Sequence, residues 1–377
     1  MSPTVLPSSK RDQRLDFLRG VALVTIFINH VPGNSLENFT SRNFGFSDAA
    51  ESFVLMSGIA AAFAYAKAVK TGLVSGIERA TARAFKLYWV HLLITALAFV
   101  AVLLVGSAFA NNAMLWRNNM GIMQTDPVAG IIGIVTFGHQ FGYFNILPLY
   151  CVLMLAAPAM IWAAITRPTA FLLASAALWL IAGATHINFP NYPTDGGWFL
   201  NPLSWQFVFA IGIMIGVSVK EGRKFCSYHP AVFALALGYL VFACAVVQLS
   251  LWNEIAYPEL PEVLAGFNKS FLTLPRLLHV LALAYVAIHM TAVARAANAR
   301  WSKPIRLLGS NSLAVFASGS VICMALQTFR NAYPTDGLDD ITILSAGFAL
   351  QFVAARWEEI KDAVGLKIAA LAGYRTA

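Results

Sequence analysis

The sequence predicts an all-α, polytopic integral membrane protein with about ten transmembrane helices and with both termini in the cytoplasm. Of the 377 residues, 58% are hydrophobic and only 12% are charged, and the mean hydropathy is +0.67. An ordinary soluble domain carries about 25% charged residues. The apolar residues come in blocks of roughly 17–25, the length with which a helix crosses a hydrocarbon core of about 30 Å. The basic residues are also unevenly divided between the loops on the two sides of these blocks.

Ten apolar segments are long enough to be membrane-spanning helices. They are 15–31, 47–66, 84–107, 144–165, 170–186, 203–219, 231–251, 276–294, 311–328 and 339–355. A shorter apolar run, 128–137, cannot cross a bilayer and is expected to be interfacial or re-entrant.

The distribution of basic residues predicts the orientation of these segments. With the N-terminus in the cytoplasm, 21 of the 26 Lys and Arg residues fall on the cytoplasmic side. Membrane proteins concentrate Lys and Arg in cytoplasmic loops, so the helix count and the orientation support each other. The same rule accounts for the net charge of +8 without nucleic-acid binding. The five remaining basic residues are Arg42, Arg117, Lys269, Arg276 and Arg330.

The chain is expected to form one transmembrane domain between two short tails. The expected boundaries are a cytoplasmic tail at 1–13, the ten-helix domain at 14–356 and a second cytoplasmic tail at 357–377. The four cysteines show no pair with metal-ligand spacing, so neither a metal site nor a disulfide framework is expected. The sequence gives no indication of the oligomeric state.

The densest set of polar residues inside the apolar segments lies in the first two of them. Arg19 and His30 are eleven residues apart, so they face similar directions and lie about 16 Å apart along a helix. Asp48 and Glu51, three residues apart, share a face of the next helix. A histidine near carboxylates is a general-base arrangement, because a carboxylate orients the imidazole that takes a proton from a hydroxyl.

This cluster also has a purely structural interpretation. Asp16 would pair with Arg14 or Arg19, and His30 would lie at a helix end before Pro32.

The long outer loops are rich in aromatic and amide residues, which suit carbohydrate binding, although an interfacial aromatic belt has the same composition. The residues expected to contact such a carbohydrate are Asn29, His139, Trp198 and Trp205.

Two motifs resemble the glucan succinyltransferase (OpgC) family, a branch of the membrane acyltransferase family 3. The first is Arg-Leu-Asp-Phe-Leu-Arg-Gly at 14–20, followed by Phe-Ile-Asn-His-Val-Pro at 27–32. The second is Glu-Ser-Phe-Val-Leu-Met-Ser-Gly at 51–58, with Val54 where the wider group has a second Phe. The Arg-x-x-Arg of that group is similar to Arg83-Ala-Phe-Lys86 here, where lysine keeps the charge but not the bidentate fork.

The resemblance implies O-acyl transfer across the bacterial inner membrane. An acyl-CoA, plausibly succinyl-CoA, would be a co-substrate rather than a permanently bound cofactor, and a periplasmic (osmoregulated) glucan would accept the acyl group. His30 would be the general base, and Glu51 or Asp48 would orient it. The residues that would bind the donor are Arg14, Arg19, Arg79, Arg83, Lys86, Arg300, Lys303 and Arg306.

Two alternatives remain open at this point. The same fold would serve an O-acetyltransferase of another cell-surface polysaccharide, and the mass added to the acceptor distinguishes the two. A sugar or lipid transporter would move its substrate without chemistry, so it would not release thiol from acyl-CoA. No internal repeat of the kind found in many transporters is evident.

Overall fold

The computed structural model describes residues 13–111, 113–255, 257, 259–357 and 359–361. The predicted tails therefore lie almost entirely outside the described residues. The α-helices are α1 Gln13–Asn29, α2 Ala49–Thr71, α3 Leu73–Ala108, α4 Ala113–Arg117, α5 Ile122–Thr125, α6 Pro127–Val135, α7 Ile146–Thr166, α8 Pro168–Thr185, α9 Pro202–Lys220, α10 Pro230–Gln248, α11 Glu262–Ala265, α12 Leu274–His289, α13 Thr291–Asn298, α14 Lys303–Ser310, α15 Ser312–Ala332 and α16 Gly337–Ala355. In this part of the chain, the β pairing is limited to one isolated bridge, between Pro190 and Gly197.

The predicted fold class, an all-α polytopic membrane protein, is confirmed. Within the described ranges, eight helices are long and apolar enough to cross a membrane: α2, α3, α7, α8, α9, α10, α15 and α16. A ninth span arises if α12 and α13, which meet at a bend of 72°, count together. The first predicted segment corresponds to α1, whose 17 residues are near the lower limit for a spanning helix. The run at 128–137 forms the nine-residue helix α6.

Helix α3 differs most from the prediction. The predicted segments 47–66 and 84–107 left a loop between them, but α2 continues to Thr71, α3 starts at Leu73, and only Gly72 separates them. Ala, Glu, Arg and Lys are frequent in this stretch, and their intrinsic helix propensity is high. The 36 residues of α3 have a length of about 54 Å, well beyond a hydrocarbon core of about 30 Å.

Helices α2 and α9 pack tightly against each other, and their backbones approach each other at glycines. A Cβ atom at Gly58 would lie 2.2 Å from the carbonyl oxygen of Phe209, and one at Gly212 would lie 2.2 Å from that of Leu55. Small residues permit such approach between membrane helices, where packing and not water exclusion drives association. Three residues of α9 next to this contact, Val208, Phe209 and Ile213, are fully buried. The pair therefore lies in the core of the bundle.

We therefore expect Gly58→Ala to destabilise the protein, although alanine is the better helix former. The added methyl group meets a backbone carbonyl, and overpacking of this kind costs about 1–3 kcal/mol. The matched control is Gly238→Ala in α10, where nothing lies within 4 Å of the added carbon and a gain of roughly 0.5–1 kcal/mol is expected. Unfolding in mixed micelles measures both changes. Equal effects of the two substitutions would contradict the assigned α2–α9 contact.

Candidate active site

A cavity of about 350 Å³ lies where the end of α1 meets the loop before α2, the start of α7 and the start of α12. Its charged and polar lining includes His30, Arg42, Asp48, Asn145, Lys269 and Arg276. Its aromatic lining includes Tyr143, Phe199, Trp252 and Phe267. Ionisable groups at the ends of membrane helices are costly to bury and usually functional, so this cavity is the candidate active site.

His30 immediately follows α1 and is held there by contacts with two other segments. Its backbone carbonyl accepts a hydrogen bond of 2.6 Å from Gln327 Nε2 of α15. Its ring stacks on Tyr143, with the centroids 4.2 Å apart and an angle of 11° between the planes. Asn34 Nδ2 closes the turn after α1 by donating to the carbonyl of Val31 at 2.6 Å. Among the described residues, no group hydrogen-bonds to a ring nitrogen of His30, so the imidazole is positioned but keeps its proton-accepting atom available.

Asp48 and Glu51 form a capping box at the start of α2. The Asp48 carboxylate accepts a hydrogen bond of 2.8 Å from the Ala50 amide, and the Glu51 carboxylate accepts one of 3.0 Å from the Asp48 amide. This pattern satisfies backbone N–H groups that have no partner within the helix. The predicted segment began at residue 47 and placed both carboxylates on one helix face. The structure instead places Asp48 before the first helical residue, in the cavity wall, and Glu51 behind it.

Both carboxylates are paired with basic residues that the sequence placed on the outer side. Arg276 Nε donates to Glu51 Oε1 at 2.8 Å, and Glu51 is fully buried. Lys269 Nζ lies 2.5 Å from Asp48 Oδ2, and Arg276 Nη2 lies 3.7 Å from the same oxygen. Neither carboxylate is hydrogen-bonded to His30 within the described residues. Of the two, only Asp48 shares the cavity with the imidazole.

Arg42 differs from the two other basic residues in the cavity wall. It lies on a short 3₁₀ turn, Ser41–Asn43, between α1 and α2. Lys269 and Arg276 are neutralised by Asp48 and Glu51, whereas Arg42 has no ion-pair partner in the described part of the chain. The cavity therefore carries one surplus positive charge.

The structure brings the candidate donor-binding residues to one end of the bundle but not to the cavity. Arg79 and Lys86 are exposed on the first four turns of α3, and Arg300 and Lys303 are exposed around the start of α14. Arg306 is used locally, since it donates to the carbonyl of Ala297 and to Ser302 Oγ.

The remaining candidate donor residues lie on the early turns of α1 and on α3. Arg19 Nη2 donates to the carbonyl of Met56 at 3.1 Å, and Arg14 and Arg83 are half-buried.

Only one of the four candidate acceptor-binding residues lines the cavity. Asn29 does so, and its Oδ1 accepts a hydrogen bond of 2.6 Å from Thr40. His139 is buried, with Nε2 lying 2.6 Å from the carbonyl oxygen of Asn119. Trp198 is buried against Phe137 and Phe189. Trp205 is also buried, and its Nε1 donates to the carbonyl of Lys269 at 3.0 Å. These three residues hold the loops in place, and other aromatic residues face the cavity.

The residues of the cavity wall that sequence reasoning missed include Arg42, Tyr143, Lys269 and Arg276. A usable signal was present for the three basic ones. Arg42, Lys269 and Arg276 are three of the five basic residues on the predicted outer side, where such residues are scarce, so each needed a specific reason to be there. The capping box also had a signal, an aspartate followed three residues later by a glutamate before an apolar run.

Comparison with known proteins gives one match. The family model described as "OpgC protein" matches residues 11–362, nearly the whole chain. Neither the curated proteins nor the solved structures contain a match. The matched region includes the end of α1, the start of α2 and every helix that contributes to the cavity, so the chain belongs to the OpgC protein family.

Proposed function

We propose that this protein is a transmembrane O-succinyltransferase of the bacterial inner membrane, with succinyl-CoA as donor and a periplasmic glucan as acceptor. Membership of the OpgC family supports an acyltransferase role on glucans. The observation that carries the proposal is the imidazole of His30, which lines a cavity that also contains Asp48 and an aromatic wall. Aromatic faces and the amides of Asn29 and Asn145 suit the apolar faces and hydroxyl groups of a sugar.

The proposed chemistry requires one base and one charge partner. A ring nitrogen of His30 takes the proton of a glucan hydroxyl as its oxygen attacks the thioester carbonyl carbon. The C–O ester bond forms, the C–S bond breaks, and the thiolate of CoA leaves and is protonated. The carboxylate of Asp48, in the same cavity, stabilises the imidazolium that forms. Asp48 is the better candidate than Glu51 for this role because Glu51 lies behind the wall with Arg276.

The decisive experiment incubates the purified protein in lipid nanodiscs with succinyl-CoA, acetyl-CoA and a neutral glucan. We expect free thiol to appear only when both acyl-CoA and glucan are present, and the glucan to gain the mass of a succinyl group. Gain of an acetyl group alone would show an acetyltransferase. Movement of glucan or lipid across the bilayer of sealed proteoliposomes, without thiol release in either preparation, would show a transporter and overturn the proposal.

The surplus charge of Arg42 supports succinyl as the acyl group. A succinyl thioester has a free carboxylate at its far end, whereas an acetyl thioester has none. A hydrogen bond between charged groups contributes about 1.5–3 kcal/mol, so Arg42→Gln is expected to raise KM for succinyl-CoA roughly ten- to a hundredfold. The KM for acetyl-CoA should not change.

The matched control for this prediction is Arg117→Gln. Arg117 is also an exposed arginine on the predicted outer side, on α4, but it does not line the cavity. An Arg42→Gln protein that keeps the wild-type preference between the two donors would exclude Arg42 as the group that recognises the carboxylate.

A further inference from the structure

A second, much narrower cavity adjoins His30. Its volume is about 10 Å³, and it lies between α1, the first half of α15 and Gln351 of α16. His30, Ile26 and Phe316 line both cavities and form the wall between them. His30 is therefore accessible from two directions, from the 350 Å³ cavity and from the narrow cavity.

The narrow cavity extends from His30 toward the end of the bundle that holds the predicted donor-binding residues. Along α1 it reaches back to Leu23, about 10 Å of helix. One turn closer to the start of α1, Gly20 packs on α14, where an added Cβ would lie 2.0 Å from the carbonyl oxygen of Ile305. Helix α14 begins with Lys303, and α15 follows it directly. The narrow cavity and the contact between α1 and α15, together called the seam, thus connect the basic end of the bundle to His30.

Gln351 is the unusual residue of this seam. Its side chain is 1% exposed, and its Nε2 atom has no hydrogen-bond partner among the described residues. A Cβ at Gly319, on the facing helix, would lie 3.2 Å from Gln351 Oε1, so a larger residue there would press on the amide. Buried amides are almost always hydrogen-bonded, and an unpaired one is costly. A buried donor that lines a cavity without an acceptor indicates that the acceptor belongs to a ligand.

We propose that this seam is the binding site for the pantetheine arm of the acyl-CoA donor. The arm is a narrow, flexible chain with two amide groups and a terminal thioester, and one of its amide carbonyls accepts the hydrogen bond of Gln351 Nε2. The thioester then reaches His30 from the side opposite the acceptor. This proposal rests on the proposed function only for the identity of the donor as an acyl-CoA.

The seam is closed in this structure, because about 10 Å³ holds roughly one water molecule. The arm enters when α16 moves away from α1. The buried residues of α16 form a single stripe, Asp340, Leu344, Gly347, Gln351 and Ala355, so its movement disturbs few contacts. On this stripe Gly347 lies opposite the ring of Phe27 in α1, and the neighbouring Phe348 packs on the same ring.

The test uses the full chain in nanodiscs and the variant Gln351→Leu. We expect its KM for succinyl-CoA to rise about tenfold, the change that corresponds to one hydrogen bond between neutral groups at the upper end of the ordinary range. The KM for glucan should stay unchanged. The melting temperature without donor should stay the same or rise, because the substitution removes an unpaired buried amide. A merely structural glutamine would give the opposite result, a lower melting temperature and an unchanged KM.

The matched control is Gln206→Leu in α9. Gln206 Nε2 donates to the carbonyl of Ser175 at 2.8 Å, so this variant should melt at a lower temperature and keep its KM for succinyl-CoA.

A second pair of variants tests whether the space within the seam is needed for CoA binding. Gly319→Leu fills the seam and should abolish the rise in melting temperature that free CoA produces, whereas Gly238→Leu, at an open position of α10, should not.

Wild-type KM and a wild-type response to CoA in both Gln351→Leu and Gly319→Leu would overturn the proposed arm site. Failure of the proposed function has a different signature, in which the wild-type protein releases no thiol from succinyl-CoA. In that case, the rise in melting temperature that free CoA produces still tests whether the seam binds the pantetheine arm.

Discussion

Replacing His30 by alanine is expected to lower kcat for acyl transfer by about 10²–10⁴-fold, the usual contribution of a positioned general base. Among the described residues, His30 supplies the only imidazole that lines the cavity. The KM values should change little because His30 stacks on Tyr143 and makes no side-chain hydrogen bond in the described structure. The measurement is thiol release from succinyl-CoA with saturating glucan, at matched amounts of folded protein in the membrane.

Two controls make this result specific. His30→Gln keeps a side chain of similar size next to Tyr143 but has no basic nitrogen, so it should be as inactive as His30→Ala. His186→Ala removes an exposed imidazole whose Nε2 lies 2.9 Å from Glu262, outside the cavity, and should retain full activity. Transfer at more than about a tenth of the wild-type rate by His30→Gln would exclude proton abstraction by this residue.

Replacing Arg276 by methionine is expected to lower the free energy of unfolding by about 3–5 kcal/mol, because it leaves the buried carboxylate of Glu51 without its partner. Arg276 contacts Glu51 through two of its nitrogen atoms, and Glu51 is fully buried. The double variant Arg276→Met with Glu51→Gln should recover most of the loss, since it removes both charges together. Chemical unfolding in mixed micelles, analysed as a double-mutant cycle, measures the coupling.

Lys70 and Glu221 provide the comparison for this pair. Their nitrogen and oxygen atoms lie 2.8 Å apart, but the lysine side chain is 48% exposed, and exposed pairs contribute about 0–1 kcal/mol. Lys70→Met should therefore change stability little. Equal losses for Lys70→Met and Arg276→Met would mean that Glu51 is not held as a buried charge.

The helices and the position of His30 were predictable, because both depend on local sequence. A spanning helix is a continuous apolar block, and each predicted segment has a counterpart in the structure. His30 was identified from its spacing to Arg19 on one helix and from a motif that resembles a family. Helix α3 was predicted too short because its first turns are polar and lie outside the apolar block, where hydropathy gives no signal.

The pairing of charges was not predictable in the same way. Arg276 and Glu51 are separated by 225 residues, so their contact depends on how α12 packs near α2, which one sequence does not specify. The predicted role of Trp198 and Trp205 followed from residue type alone. Both are buried and hold loop backbone, and residue type does not distinguish an aromatic ring that faces a cavity from one that supports its wall.

The glycine contact between α2 and α9 has a consequence for the charges of the cavity. Asp48 caps the start of α2, and Trp205, near the start of α9, holds the backbone of Lys269. Because these two helices pack backbone against backbone at Gly58 and Gly212, both partners of the Asp48–Lys269 pair are held by the same closely packed unit. The electric field at His30 is therefore set when the protein folds and does not have to be rearranged when charge develops during acyl transfer. Such preorganisation is the main means by which enzymes stabilise a transition state.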